Sequence, residues 1–238
     1  MTDNPLIVYD KKILNFIEVG NYKHALWVAE ESYVFSKTLF GDTHLETAKT
    51  LNNLAWVYDL LQRYDVAETF YLRSVGLKKS IYGKSSVELI PTLENLMSLY
   101  LYQKKFRETE KILYNLIVIV ESKKEPWVFR KAVYLCQLAD LYERQRRTAR
   151  AEDYYHKCAA FIESVMSFDH PNLGRVFANI ADHYTRVEKY PRAQFYYQRA
   201  YSILIKKLSK RHPDLKHVID GMNFIRSYLP DSQTAQGQ

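Results

Sequence analysis

LNNLAWVYDL, residues 51–60, is the stretch from which the fold can be read. Leu51, Leu54, Ala55 and Tyr58 recur at helical spacing. Yet Asn52 and Asn53 stand side by side in a run that is otherwise mostly apolar. Asparagine is a mediocre helix former and costly in a core, so the pair needs a reason. The stretch has an echo, LENLMSLYLY at 93–102.

The step from the stretch to its echo also joins Leu54, Leu96, Leu138 and Ile180. It joins Tyr58, Tyr100, Tyr142 and Tyr184, with Phe16 extending the series backwards. Ala25, Ala67, Ala151 and Ala193 follow it with Thr109 in the gap, as do Tyr22, Tyr64, Phe106 and Tyr190 with Thr148 as the exception. A fixed period in the range of about 20–50 residues marks a repeat array. Each unit reads as two helices: a first carrying the Leu54 and Tyr58 positions, a turn at Gln62-Arg63, and a longer second with Ala67, Phe70, Tyr71 and Ser74-Val75 on its apolar face. Breakers separate the units: FGDTH at 40–44, YGKSS at 82–86, KKEP at 123–126, FDHP at 168–171 and KRHP at 210–213. Pro171 and Pro213 suit the first turn of the following helix. Small residues at Ala55, Ala139 and Ala181 are predicted to face Ala67, Ala151 and Ala193, so that the two helices of a hairpin pack closely. Most of the 20 tyrosines then serve as large wedges between hairpins.

The pattern Leu-x-x-Leu-Ala-x-x-Tyr followed by Tyr-x-x-Ala-x-x-x-Tyr resembles the tetratricopeptide repeat. The long period, the phrase LNNLA and the HP before a helix resemble its kinesin-light-chain variety, whose second helix is longer than in the usual 34-residue repeat. The resemblance covers roughly residues 8–211. The first unit is degenerate, with Lys12 where a core Leu is expected, and the third carries Met97 and Thr109 at the small positions. The fold expected is an all-α, right-handed α-α superhelix of about five hairpins, with repeats at about 8–47, 48–89, 90–131, 132–173 and 174–211. Residues 1–7 form an N-terminal segment, 212–229 a polar-faced capping helix, and 230–238 (PDSQTAQGQ) a disordered tail.

In such arrays the first helices line a concave face. The rim position just before the Leu54 register holds Asn53, Asn95, Gln137 and Asn179 in four successive units. An amide donates and accepts together, which suits an extended peptide backbone, and in resembling proteins an Asn in this register often holds peptide ligands. The other reading is that these amides tie adjacent helices. The predicted groove is Lys49, Asn52, Asn53, Trp56, Asn95, Tyr102, Gln137, Arg175, Asn179 and Arg186, with Asp59, Glu94, Ser98, Leu101, Cys136, Asp140, Glu143, Arg144, Ala178 and Asp182 among their neighbours. Trp56 and Tyr102 are its candidate apolar anchors. The carboxylate clamp of chaperone-binding relatives needs Lys two before and Asn two after the Leu register. This chain has Asn52/Trp56, Glu94/Ser98, Cys136/Asp140 and Ala178/Asp182 there, so no clamp is present.

The net charge of +7 is uneven: residues 1–50 carry −2 and residues 101–150 carry +6. Lys104, Lys105 and Arg107 fall in one hairpin turn, and Arg144, Arg146, Arg147 and Arg150 in the next, which together predict a positive edge. An alternative function follows from it, a nucleic-acid- or anionic-surface-binding protein, although no stacking element interleaves the run. Catalytic and metal constellations are absent from the sequence. His170 and His212 are matched linker residues, and His156 and Cys158, at i and i+2, point to different helix faces. No Gly-rich phosphate loop is present. Two cysteines, no visible secretory signal and no long apolar run lead to a cytoplasmic expectation. The function expected is a non-enzymatic scaffold or adaptor without cofactor, binding a peptide segment or helix of a partner protein. Self-association through the degenerate first unit is a third reading.

Overall fold

The computed structural model describes residues 5–121, 127–164 and 171–229. The expected tail at 230–238, residues 1–4 of the expected N-terminal segment, the KKEP linker, and the FDHP linker up to and including His170 lie outside the described residues. Eleven α helices and no strand are present among the described residues. They are α1 (Leu6–Glu18), α2 (Tyr22–Phe40), α3 (Leu45–Leu60), α4 (Tyr64–Tyr82), α5 (Ile90–Tyr102), α6 (Phe106–Glu121), α7 (Val128–Arg144), α8 (Thr148–Ser164), α9 (Pro171–Arg186), α10 (Tyr190–Lys207) and α11 (Pro213–Arg226). A 3₁₀ turn, Val87–Leu89, leads into α5. The helices fall into two compact units, one ending at Ile119 and the other starting at Val120, within α6.

The hairpin turns obey one rule. Gly20, Gln62, Lys104, Arg146 and Glu188, each one repeat after the last, all have positive φ, between 57° and 72°. The next N–H in each case donates back to the aromatic register: Asn21 to the Phe16 carbonyl, Arg63 to Tyr58, Lys105 to Tyr100, Arg147 to Tyr142 and Lys189 to Tyr184, at 2.8–2.9 Å. This is a left-handed C-terminal cap that satisfies an otherwise orphaned carbonyl. The starts of first helices repeat as well. The side chains of His44, Ser86 and His212 accept from the N–H two residues on, at 3.2–3.3 Å. Pro213 occupies the first turn of α11, as expected, and α9 begins at Pro171.

The small-residue pairs are where the spacing put them. Ala55, Ala67, Ala139, Ala151, Ala181 and Ala193 are all fully buried. Tyr71, Tyr142, Tyr155 and Tyr184 are buried large side chains of the same hairpins. In α1 the contact shifts by one residue: Lys12 is exposed, and Ile13, in the Ala55 register, is buried in its place. Ile13 packs with Ala25, Val28 and Leu54, so the degenerate first repeat keeps a core. In α9 and α11, glycines admit close neighbours. A Cβ at Gly174 would sit 2.6 Å from Leu204 Cγ, and one at Gly221 2.4 Å from Tyr197 Cζ.

Candidate functional site

The asparagine pair of α3 belongs to a ladder across three first helices of the first unit. Asn53 Nδ2 donates to Asp10 Oδ1 of α1 at 2.8 Å. Asn52 donates to Asn53 Oδ1 at 3.5 Å, and Asn95 of α5 donates to Asn52 Oδ1 at 3.3 Å. Half-buried amides that both donate and accept can bridge helices that apolar side chains would only touch. The tying reading of these amides is therefore what the contacts display, on a face that still reaches solvent. Burial pushes the Asp10 carboxyl above its usual range, with Glu46 adding to the rise and the Asn53 bond opposing it. Lys49, exposed, pairs with Glu46 at 2.8 Å. Trp56 is half-buried, and Tyr102 is exposed at the end of α5, 5.2 Å from the ring of Tyr64.

In the second unit the corresponding face opens as a cleft of about 390 Å³ lined by Asp140, Glu143, Arg144, Asn179, Asp182 and Arg186. Asn179 and Arg186 of the predicted groove meet there, and Arg144, which belongs to both the groove neighbourhood and the basic edge, lines the same cleft. Glu143 of α7 binds two groups of α9, the fully buried His183 through Nδ1 and the guanidinium of Arg186. Burial alone would raise the Glu143 carboxyl. The His183 hydrogen bond and the Arg186 charge outweigh it and hold the carboxyl below its usual range. Tyr155 donates to Asp140, and Tyr197 to Asp182 at 2.6 Å, with His217 of α11 on the other Asp182 oxygen at 3.0 Å. Burial keeps Asp140 above its usual range despite the Tyr155 bond.

Two of the positions named as groove neighbours differ from that assignment. Cys136 and Ala178 are buried rather than facing a groove. Cys136 turns inward because its sulfur lies 3.1 Å from that of Cys158, which donates to the Ala132 carbonyl as Ser74 does to Ala48 in the first unit. Gln137 is partly buried, and its Oε1 has no partner. Arg175 donates to Asp214 of α11 and to Asn172, tying the capping helix to α9. His183 lies outside the predicted set, although the repeat itself flags it: it stands in the register of Val57, Leu99 and Leu141, a polar ring where the three preceding repeats are apolar.

The basic residues are partly engaged. Lys105 pairs with Glu68 at 2.7 Å and lies over the Tyr100 ring, while Arg147 and Arg150 lie over Tyr142. Lys104 and Arg146 are the left-handed turn residues. Lys104, Lys105 and Arg107 belong to the first unit and the four arginines to the second. Among the described residues no group of three His, Cys, Asp or Glu side chains could hold a metal ion, and both cysteines are free thiols. Among them, too, no helix is long and apolar enough to cross a membrane.

A chain of helical hairpins with a repeated left-handed turn and a mixed-charge first-helix face is a helical repeat protein of the tetratricopeptide class. The tetratricopeptide repeat model matches residues 14–80 and 130–206, and the chain belongs to that family. No curated protein sequence matches it significantly. Among solved structures, it is similar to a kinesin-light-chain-type protein of Podosopora anserina with nearly identical TPR-like repeats, at 14% identity and TM-score 0.70, covering 87% of this chain and 100% of the other. It is also similar to BtubC (BKLC) from P. vanneervenii, at 16% identity and TM-score 0.66, covering 94% and 84%. A third is the assembly chaperone of RpL4, Acl4, at 14% identity and TM-score 0.55, covering 92% and 85%. At these identities the likeness is one of fold.

Proposed function

We propose that the chain is a non-enzymatic protein-interaction scaffold that binds a peptide segment or helix of a partner on the exposed faces of its first helices. The family generally serves protein interaction. The observation that carries the reading here is the cleft on α7 and α9, where Asn179, Arg144 and Arg186 meet three carboxylates on an open surface. A surface of mixed donors, acceptors and charges suits a polypeptide, which offers all of them. In the first unit the groove comprises Lys49, Asn52, Asn53, Trp56, Asn95 and Tyr102, and in the second Gln137 at its inner edge, Arg175, Asn179 and Arg186.

The test is a pull-down from native lysate with mass spectrometry, with and without nuclease. The bait is the wild-type chain beside a Tyr102→Ala, Asn179→Ala variant, two exposed positions outside the basic edge whose loss leaves the core intact. A discrete protein that survives nuclease and is lost with the variant supports the scaffold. Recovery that depends on nucleic acid and ignores the variant overturns it in favour of the basic edge.

A further inference from the structure

The two units solve one electrostatic problem differently, and the difference leaves an unpaired carboxylate in the first. Advancing by two repeats carries Asp59 onto Glu143, Trp56 onto Asp140, Tyr71 onto Tyr155 and Tyr102 onto Arg186. In the second unit every member of this set has a partner. The Glu143 carboxylate holds the guanidinium of Arg186, and the Tyr155 hydroxyl donates to Asp140. In the first unit the same positions are left open. No hydrogen bond or cation reaches the Asp59 carboxylate among the described residues, and burial, with nothing opposing it, pushes that carboxyl up. The Tyr71 side chain is fully buried, and its hydroxyl has no partner, because Trp56 stands where Tyr155 finds Asp140. Leu99 and Tyr102 of α5 stand where α9 presents His183 and Arg186.

The surroundings of Asp59 are those of a cation site. Trp56 lies one turn earlier on α3, on the same helix face. Tyr102 is 68% exposed and is paired with Tyr64 across the end of the α3–α4 turn. The Asp59 charge acts on both the Tyr64 and the Tyr71 phenols, so the carboxylate, the Tyr64–Tyr102 ring pair and the buried Tyr71 hydroxyl form one neighbourhood. A planar guanidinium can pair with a carboxylate and lie on an aromatic face at the same time, which an ammonium does less well.

We infer that Asp59, Trp56 and Tyr102 form a docking site for an arginine side chain of a partner peptide, which takes the place that Arg186 fills from within in the second unit. The site rests on the scaffold reading above and adds the residue that the partner must supply. The Asp59 carboxylate receives the guanidinium, the Tyr102 and Trp56 rings flank it, and apolar residues beside the arginine cover the Trp56 edge.

The test is selection of a phage-displayed random dodecapeptide library on the full chain, followed by fluorescence-polarisation titration of the enriched peptides. Expected are peptides with one dominant arginine, weakened about tenfold or more by Asp59→Asn. They should also be weakened by replacing the arginine with lysine, to a smaller extent. Tyr102→Arg supplies the guanidinium from within. It should abolish binding of the same peptides and bring the Asp59 carboxyl, followed by NMR titration, down towards or below its ordinary range, a readout that needs no ligand. Circular dichroism checks that both variants fold. Peptides that bind equally to Asp59→Asn but are lost with Trp56→Ala overturn the arginine site and leave the scaffold reading standing. Enrichment of acidic peptides overturns it too. Recovery of no peptide, or only of peptides indifferent to every first-helix substitution, overturns both. An Asp59 carboxyl unmoved by Tyr102→Arg overturns the site by itself.

Discussion

Gly174 and Gly76 show how differently one residue type is used along this chain. Gly174 lies on α9 against Leu204, where a Cβ would meet the buried side chain at 2.6 Å, whereas Gly76 on α4 faces open space. Gly174→Ala is therefore expected to cost about 1–3 kcal/mol through overpacking. Gly76→Ala is expected to gain about 0.5–1 kcal/mol from helix propensity. Urea denaturation of the two variants beside wild type checks both signs. Asp59 is a second residue-scale case. Its folded carboxyl lies above its unfolded value, so its contribution favours the folded state at low pH and is lost as pH rises through the folded pKa. Asp59→Asn should therefore be more stable than wild type at neutral pH, with the difference closing below the ordinary carboxylate range. A denaturation series from pH 3 to pH 7 measures it. A surface that keeps an unpaired, half-buried carboxylate at a cost in stability has the character of a binding site.

At the scale of the element, the hairpin turn is the unit that repeats most strictly. Only Gly20 among its five left-handed residues is a glycine; the others are Gln62, Lys104, Arg146 and Glu188. A left-handed residue with a Cβ is strained by about 1–2 kcal/mol, part of which glycine gives back as chain entropy in the unfolded state. Lys104→Gly should thus stabilise by about 0.5 kcal/mol, and Gly20→Ala should destabilise by about the same or more, both read from thermal melts. The α7–α9 link makes a pH-dependent prediction. Glu143 is held below its ordinary carboxylate range, so its contribution is present above the unfolded pKa and lost as pH falls through the folded one. Glu143→Gln should lower stability at neutral pH and flatten the acid limb of the stability curve, as urea melts across the acid range would show. How far these elements were legible in the sequence follows from what makes them. The turn at Gln62-Arg63, the paired alanines and the proline-led helices were readable because spacing and backbone chemistry decide them. The outward or inward turn of Cys136 was not, because it depends on Cys158 from the neighbouring helix, and one-residue rotations such as that of α1 about Ile13 are set by packing that periodicity does not specify. His183 was readable in principle, as a polar ring in a largely apolar register. Its bond to Glu143 was not, since it links different repeats.

At the scale of the whole molecule, each repeat of an array depends on its neighbours, and α11 shows how the hairpin of α9 and α10 is covered. In the second unit α11 covers α9 and α10 with Leu215, Val218 and Ile225 buried, and Gly221 lets the Tyr197 ring approach. It also brings polar ties at the same surface: Asp214 to Arg175, His217 to Asp182, and a stacked contact of Tyr228 on Tyr190 at 4.6 Å. Ending the chain after Arg211 would expose the face of Tyr197 that meets Gly221 and leave Asp182 without its histidine. In a quasi-one-dimensional array, stability is a sum of repeat and interface terms, so loss of a cap acts first on the repeat it covered. Hydrogen exchange should therefore show the largest loss of protection in α9 and α10 and a smaller one in α7 and α8. Uniform loss across all described helices would mean that the array unfolds as one cooperative body. Undiminished protection in α10 would mean that α11 is an appendage rather than a cap. The intermediate, graded outcome is the one the contacts predict, because α11 touches the last hairpin through three apolar side chains and three polar or aromatic ties, and no other described element substitutes for them.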